Sequence, residues 1–554
     1  MKRGLLSRLA PLLLALGLAV FAGRLVHTAA RMSYTPDEPR YLGTGLYLWE
    51  SGDYHFERSL RFHPPLTYHL AGLPLLALDL EGLEPSPDLG EQLVEAAGPA
   101  LDRVRVISRL PFIALTCWGA VLCMLWAREA ARAREEGSGA GAGLLALFLY
   151  TFSPTLLANG PLIHSDITVS VLYLQTLYLC WRWWRRPGVW RFALCGLSLG
   201  LALAAKLSAL LLLASLGLLL AWTAFGPAPL GPRIPASSRR ARSFAREALA
   251  SMGWVAQRYA GWLALAFVVL LACYGGSLAW SRGSGPGSVA DLVLPAYIHS
   301  LFFDLGANEV GRPLYFAGSF TKQGAWYVFP VTFLLKVPLG LLALLGLAMA
   351  SRRRAPAGAG PFLLLPIAVY VLFACFVVRV PMGLRYLLPI FPLLFVWIAL
   401  RLTPFESRLR GVAAAAACAW IFASSLWIHP HYLAYFNELI GPRDARRVLI
   451  ESNLDWGQDL GTLARYLDDR GNPQVWLAYF GVERARNHGM KVRMLRGCEP
   501  VEGLVAISAN VLHGLYSAQN PFKRPPPGCY DWLLERGPVA TPGYSILVYE
   551  IGEP

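Results

Sequence analysis

Charge is scarce in this chain: Asp, Glu, Lys and Arg make up 15% of its 554 residues, hydrophobic side chains 55%, and mean hydropathy is +0.44. That scarcity excludes an ordinary water-soluble fold and places the chain in a bilayer. Also absent are a GxxxxGK phosphate loop, a dinucleotide fingerprint and a GxSxG elbow, which argues against an ATP-driven pump and a serine hydrolase. No internal repeat of fixed period is present. His55, His63, His164 and His299 are scattered without metal-ligand spacing, so no metal is assigned. Of nine cysteines, seven lie in or beside apolar runs. Cys498 and Cys529 lie in the polar tail, free to pair or stay reduced according to the compartment.

Long apolar runs are abundant. Each of the runs 9–27, 107–127, 141–158, 167–181, 189–205, 206–225, 261–280, 327–349, 361–378, 387–402 and 411–427 reads as a membrane span. The expected fold is mainly α, a polytopic protein of about eleven transmembrane helices with a C-terminal extracytoplasmic α/β domain. With Lys2, Arg3 and Arg8 inside, alternation also places Arg128/Arg132/Arg134, Arg182/Arg185/Arg186, Arg239/Arg240/Arg242/Arg246, Arg352/Arg353/Arg354 and Arg408/Arg410 inside. The net charge of +15 is therefore read as topology and not as a nucleic-acid surface. The first run also has the basic start of a signal peptide, but it ends in Arg31 and lacks a small-residue cleavage site. The reading is a multi-pass protein of a bacterial inner membrane, N-terminus cytoplasmic, with outward segments 28–106, 281–326 and 428–554. Residues 1–427 form the membrane domain and 428–554 the tail. In the tail, Leu460 to Leu467 after Gly457 reads as helix, and Gly503 to Ser508 and Tyr544 to Ile551 as strands.

Candidate chemistry lies in the outward segments. Asp37 and Glu38 are adjacent carboxylates just after the first span, placed to supply a general base. They equally fit a capping box, with Thr35 as N-cap, Pro36 at the first helical position and Glu38 three residues on. Adjacent residues diverge by about 100° on a helix, so the two carboxylates are not expected to share one role. Asp166, at the mouth of the fourth run, is a functional candidate because a carboxylate at a span edge must be solvated or paired; the bland alternative is a cap by Ser165 or Asp166. Outward cations are few: Lys206, Arg312, Lys322, Lys336, Arg379 and Arg385. Each suits either a phosphate or simple snorkelling. Arg385 stands out because its short loop leads directly into an apolar run. Trp456 and Gln458 in the tail read as core residues or as a sugar contact.

The order of Asp37-Glu38, Gly52-Asp53-Tyr54, His63-Pro64-Pro65-Leu66 and Asp166 resembles the GT-C class of polyprenyl-phosphate-sugar-dependent glycosyltransferases, family 39-like. Within that class it is similar to the group holding the protein O-mannosyltransferases and the lipid A aminoarabinose transferases. Gly324 to Pro330 with Leu335-Lys336-Val337-Pro338, Arg385-Tyr386-Leu387-Leu388-Pro389, Tyr435-Phe436-Asn437-Glu438 and Ser452 to Asp459 extend the likeness over most of the chain. The resemblance implies a hexosyl- or mannosyltransferase-like enzyme that takes a sugar from a polyprenyl-phosphate donor and passes it, with inversion, to a hydroxyl on the outer face. It implies Asp37 as base, Glu38 orienting the loop or acceptor, and Asp166 holding the donor sugar or a cation. Lys336 and Arg385 are implied as contacts to the donor phosphate. To stay ionised, Asp37 needs a cationic partner, Arg40 or an outward Arg or Lys.

The chain departs from the eukaryotic protein O-mannosyltransferases in carrying its long extracytoplasmic part at the C-terminus, and Asn437, Asp455 and Gln458 are outside that group's usual catalytic set. Which sugar is moved, and whether the acceptor is a protein, a lipid or a glycan, stays open, as does a divalent-cation requirement. The competing reading is a multi-helix transporter or flippase, whose ionisable residues would lie near the midplane rather than at the mouths. A third is a binding module on a helical anchor.

Overall fold

The computed structural model describes residues 2–52, 54, 63–78, 89–95, 99–133, 139–225, 241–275, 295–321, 324–353, 355–356, 358–380, 382–518 and 523–552. Asp53, His55, Arg134, Arg239, Arg240, Lys322 and Arg354, named above, lie outside them.

The chain is mainly helical. Six helices are long and apolar enough to cross a bilayer: Arg8–Arg31, Leu101–Arg132, Leu207–Phe225, Ala248–Cys273, Ala359–Phe376 and Arg408–Trp427. A seventh crossing is available if the pair Val328–Lys336 and Leu339–Met349, bent by 111°, counts as one. The bend falls where Pro338 forces Val337 out of the helical region (φ −106°, ψ 146°) and offers no backbone donor. Four of the eleven apolar runs therefore do not qualify on length and apolarity. The run 141–158 breaks into Ala140–Thr151 and Pro154–Asn159 at Pro154, and Val189–Ala205 and Ile390–Leu402 are short. Ala140–Thr151, Val189–Ala205 and Ile390–Leu402 have 12, 17 and 13 residues and reach only about 18–26 Å, less than a hydrocarbon core of about 30 Å. Ser165–Arg185 is long enough, but it carries Asp166, Gln175 and two arginines and is buried along most of its length, with Ser170 Oγ donating to Leu388 O at 2.9 Å. Its polar and charged residues, and not its length, keep it out of the set of helices apolar enough to cross.

The tail folds on a mixed sheet. After a hairpin of β1 (Leu314–Phe316) and β2 (Ser319–Thr321), the strands are β3 (Val475–Ala478), β4 (Val492–Met494), β5 (Gly503–Ser508) and β6 (Ile546–Ile551). Their order is β4-β3-β5-β6, with β3 parallel to β4 and β5, and β6 antiparallel to β5. The helix Leu460–Asp468 supplies Leu460, Leu463 and Leu467 to one face. The expected helix and both expected strands are present; β3 and β4 are additional. Cys498 and Cys529 are joined in a disulfide.

The sheet is seated on the first interhelical segment, which decides where the site forms. Ser33 N donates to Gln458 O at 2.9 Å, Gly461 N to Ser33 Oγ at 3.1 Å, and Tyr34 N to Glu483 Oε1 at 2.6 Å. Glu483 also accepts from Arg105 at 2.9 Å and from His488 at 2.7 Å. Burial pushes its pKa up, but the His488 hydrogen bond and Arg105 outweigh it and bring it from 4.5 to about 2. A depressed carboxylate stabilises above its unfolded value and loses that contribution as pH falls through the folded one. The thermal midpoint of Glu483→Gln should therefore lie below that of the wild type at pH 7, and the gap should narrow as pH is taken from 5 towards 3. A gap independent of pH would show that the Glu483 charge does not seat the tail.

Candidate active site

Asp37 sits at the N-cap of the helix Glu38–Ser51 but makes no side-chain cap bond, and its side chain is 41% exposed. Its Oδ2 accepts from Arg385 Nη1 at 3.2 Å. The same Arg385 Nη1 lies 3.6 Å from Asp166 Oδ2, so one guanidinium joins two carboxylates 129 positions apart in sequence. Asp166 is further paired with Lys206 Nζ and lies 3.5 Å from His164 Nδ1. These four charged groups form a balanced cluster, two carboxylates and two cations.

Each is delivered by a local feature of the chain. His164, rather than Ser165 or Asp166, caps the Ser165–Arg185 helix: its ring accepts from Asp166 N at 3.2 Å. Asp166 is thereby left free of the capping role and aimed at Lys206, which stands where the helix Val189–Ala205 ends in an extended residue (φ −161°, ψ 146°). Gly383 adopts φ +86°, a region a side chain rarely enters, and turns the chain into the short 3₁₀ segment Leu384–Leu387 that carries Arg385. A Cβ at Gly383 would stand 2.8 Å from Ser452 Oγ, so the turn also has no room for one.

The electrostatics favour an ionised Asp37. Partial burial pushes its pKa up, but Arg385, then Arg40 and His63, hold it below the ordinary carboxylate range. The required cationic partner is thus Arg385, with Arg40 second. His63 stacks on Tyr41 with ring centroids 5.8 Å apart. Burial and Lys206 bring its pKa down to about 3, against the pull of Asp37 and Asp166, so it is a neutral ring at pH 7. Asp304, on the helix Pro295–Val310, goes the other way: burial raises it to about 6 in spite of Lys206. Nothing in its sequence neighbourhood marked it out.

Glu38 is turned away from this cluster. Its side chain is wholly buried against an equally buried Arg109, with Arg109 Nε at 2.8 Å and Nη2 at 2.7 Å. It also accepts from Thr35 N at 2.8 Å, the reach-back of a capping box, and from Ile163 N at 3.1 Å. The helix nevertheless begins at Glu38 and not at Pro36. Glu38 thus ties the segment before Asp37 to the segment before Asp166. Arg109 escaped the sequence reading although a signal existed: an arginine within the apolar run 107–127 requires a buried partner.

Lys336 is buried, donating to Leu433 O at 2.9 Å and to Asn453 O. It is not in the four-charge cluster, but it lines a cavity of about 10 Å³ together with Arg385, Asn159, Tyr432 and Ser452. That is room for about one water. Two of its three donors are engaged by those carbonyls.

The tail enters the site through Trp456. Its ring lies 4.1 Å from the Arg385 guanidinium carbon and 5.8 Å from the His164 ring, and it is 2% exposed. Asn453 Oδ1 accepts from Leu384 N at 3.0 Å, and Ser452 Oγ donates to Met382 O at 2.6 Å, so the tail also fixes the Arg385 loop. Trp456 is therefore both a buried side chain and a contact of the charged cluster. A desolvated cation–π contact is worth about 2 kcal/mol. If it aligns Arg385 for reaction, Trp456→Leu should lower kcat by roughly 30-fold, with Trp456→Phe recovering most of it. Equal losses in both variants would mean that only bulk matters. Among the described residues no group of three or more His, Cys, Asp or Glu side chains could hold a metal ion.

Residues 98–276 match the family model described as dolichyl-phosphate-mannose-protein mannosyltransferase, a stretch that contains Arg105, Arg109, Asp166 and Lys206. No curated protein matches the chain. Among solved structures it is similar to ArnT from Cupriavidus metallidurans bound to undecaprenyl phosphate, at 14% identity and a TM-score of 0.45 over 98% of this chain and 99% of that one. It is also similar to the protein O-mannosyltransferase Pmt1-Pmt2 complex of S. cerevisiae bound to the sugar donor, at 16% identity and a TM-score of 0.34 over 51% of this chain and 36% of that one. The oligosaccharyltransferase of Archaeoglobus fulgidus in the apo form is similar at 13% identity and a TM-score of 0.39 over 90% of this chain and 70% of that one.

Proposed function

We propose that the protein is a membrane glycosyltransferase that moves a sugar from a polyprenyl-phosphate donor to an acceptor hydroxyl, with inversion, on the extracytoplasmic face. The observation that carries this reading is the Asp37–Arg385 pair at 3.2 Å, with Asp166 and Lys206 beside it. Such a set offers a base and fixed cations in one place. The match to a mannosyltransferase family model over residues 98–276 supports it.

In the reaction, Asp37 takes the proton of the acceptor hydroxyl as its oxygen attacks the anomeric carbon. The bond from that carbon to the phosphate oxygen breaks, and the electron pair leaves with the polyprenyl phosphate. The phosphate needs no general acid, because it departs as a stable anion; fixed cations stabilise the charge it gains. Arg385 and Lys336 serve that purpose in this reading. Asp166, held by Lys206, positions the donor sugar, and Glu38 holds the loop that carries Asp37.

The test is transfer of labelled sugar from a panel of polyprenyl-phosphate sugars by the purified protein, with protein, lipid and glycan acceptors. Transfer that depends on Asp37 establishes the reaction and names the donor. Absence of turnover with every donor and acceptor, combined with flux of a lipid-linked substrate in proteoliposomes, would replace the enzyme with a transporter.

A further inference from the structure

A second cavity adjoins the Asp37–Arg385 pair and is not used by the mechanism above. It has a volume of about 200 Å³, and its lining includes Arg312, Lys523, Arg524, Glu451, Tyr516 and Met382. Three elements meet there: the β1 hairpin, the loop that leads into Arg385, and the tail.

One side chain joins this cavity to the cluster. The Met382 sulfur lies 3.9 Å from Arg312 Nη1 and 3.8 Å from Arg385 Nη2, so a single thioether separates the cavity's arginine from that of the active site. The space therefore lies one side chain away from Arg385, the partner of Asp37.

Its charge is one-sided. Arg312, Lys523 and Arg524 are cationic, and the carboxylate in the lining is Glu451. Glu451 is already engaged: its side chain accepts from Ser452 N, and its own N donates to Asn510 Oδ1 at 2.7 Å, which holds the residue at φ +61°. That left-handed conformation is costly for a glutamate, and it keeps the carboxylate on the backbone of the Arg385-bracing segment. Arg524 is also fixed, its guanidinium carbon 3.6 Å from the Phe320 ring centre and its Nε donating to Gly514 O at 2.9 Å. A preset cationic cavity suits an anion, since guanidinium groups bind carboxylate and phosphate through charge-assisted hydrogen bonds.

We propose that this cavity is an acceptor subsite for an anionic group, a phosphate or a carboxylate, carried close to the hydroxyl that receives the sugar. This deepens the glycosyltransferase reading and rests on it. The donor phosphate is held on the Lys336 and Arg385 side; the acceptor's anion is held by Arg312, Lys523 and Arg524.

Three probes share a ring and differ in one group: glucose 6-phosphate, glucuronate and glucose. The readout is the rate at which an amine-reactive ester modifies Lys523 in the purified full chain, followed by mass spectrometry at matched ionic strength. The anionic probes should slow modification at a concentration about tenfold below that at which glucose does, as expected when one charge-assisted hydrogen bond is gained. Arg312→Gln should remove that advantage, whereas Asp37→Asn should keep it. Protection by only one of the two anions supports the subsite and names its group. Equal protection by glucose, or unchanged protection in Arg312→Gln, overturns it. Because protection is read without turnover, its failure leaves Asp37-dependent transfer standing, and failure of transfer leaves protection standing.

Discussion

Asp37→Asn is expected to cut sugar transfer by roughly 10²- to 10⁴-fold, the span a positioned general base supplies, while the protein accumulates in the membrane as the wild type does. The structural cost is small because Asp37 is 41% exposed and its side chain caps nothing. What is removed is the acceptor of the proton and one partner of Arg385. The pH dependence gives a second check. Asp37 is held below the ordinary carboxylate range, so its base function is present at neutral pH and is lost only as pH falls through that depressed value. The rate should be level between pH 8 and 5 as far as this group is concerned. An acid limb centred near pH 6 would instead point to Asp304, whose pKa burial raises to about 6.

Glu38→Ala, one residue further on, should have the opposite phenotype: loss of the protein, not of its chemistry. The Glu38 and Arg109 side chains are both wholly buried. Removing one leaves the other as an uncompensated charge, at a cost of about 3–5 kcal/mol, a large part of a total stability of about 5–15 kcal/mol. Thr35 N and Ile163 N lose their acceptor as well. The measurement is abundance in the membrane together with the thermal midpoint in detergent. Adding Arg109→Met should cost less in the Glu38→Ala background than in the wild type, because the buried charge is then already unpaired. A stable but inactive Glu38→Ala would move Glu38 into the catalytic set.

The contrast between these neighbours explains how far the sequence could be read. An Asp-Glu pair at the end of an apolar run admits a helix cap or a base for either residue. Local chemistry does not choose, since what decides is which partner each carboxylate meets across the fold. Arg109 and Arg385 are those partners, 71 and 348 positions away. Lys336 shows the same limit: the resemblance implies a phosphate ligand, and the fold ties it to two carbonyls while leaving it on the wall of a cavity shared with Arg385.

Composition and hydrophobic runs by themselves determined that the chain is a helical membrane protein, because apolar length is a local property that water cannot accommodate. Motif order determined the class it resembles, and the periodicity of the tail determined its helix and two of its strands. The tertiary structure decided where the apolar runs break into shorter helices, since the breaks at Pro154 and Pro338 are matters of backbone geometry. It alone separated Asp37 from Glu38, brought Asp37 and the Lys206-paired Asp166 to the same arginine, and seated the tail so that Trp456 stacks on it. Ion pairs and stacked rings depend on distance in space, and a sequence records only distance along the chain.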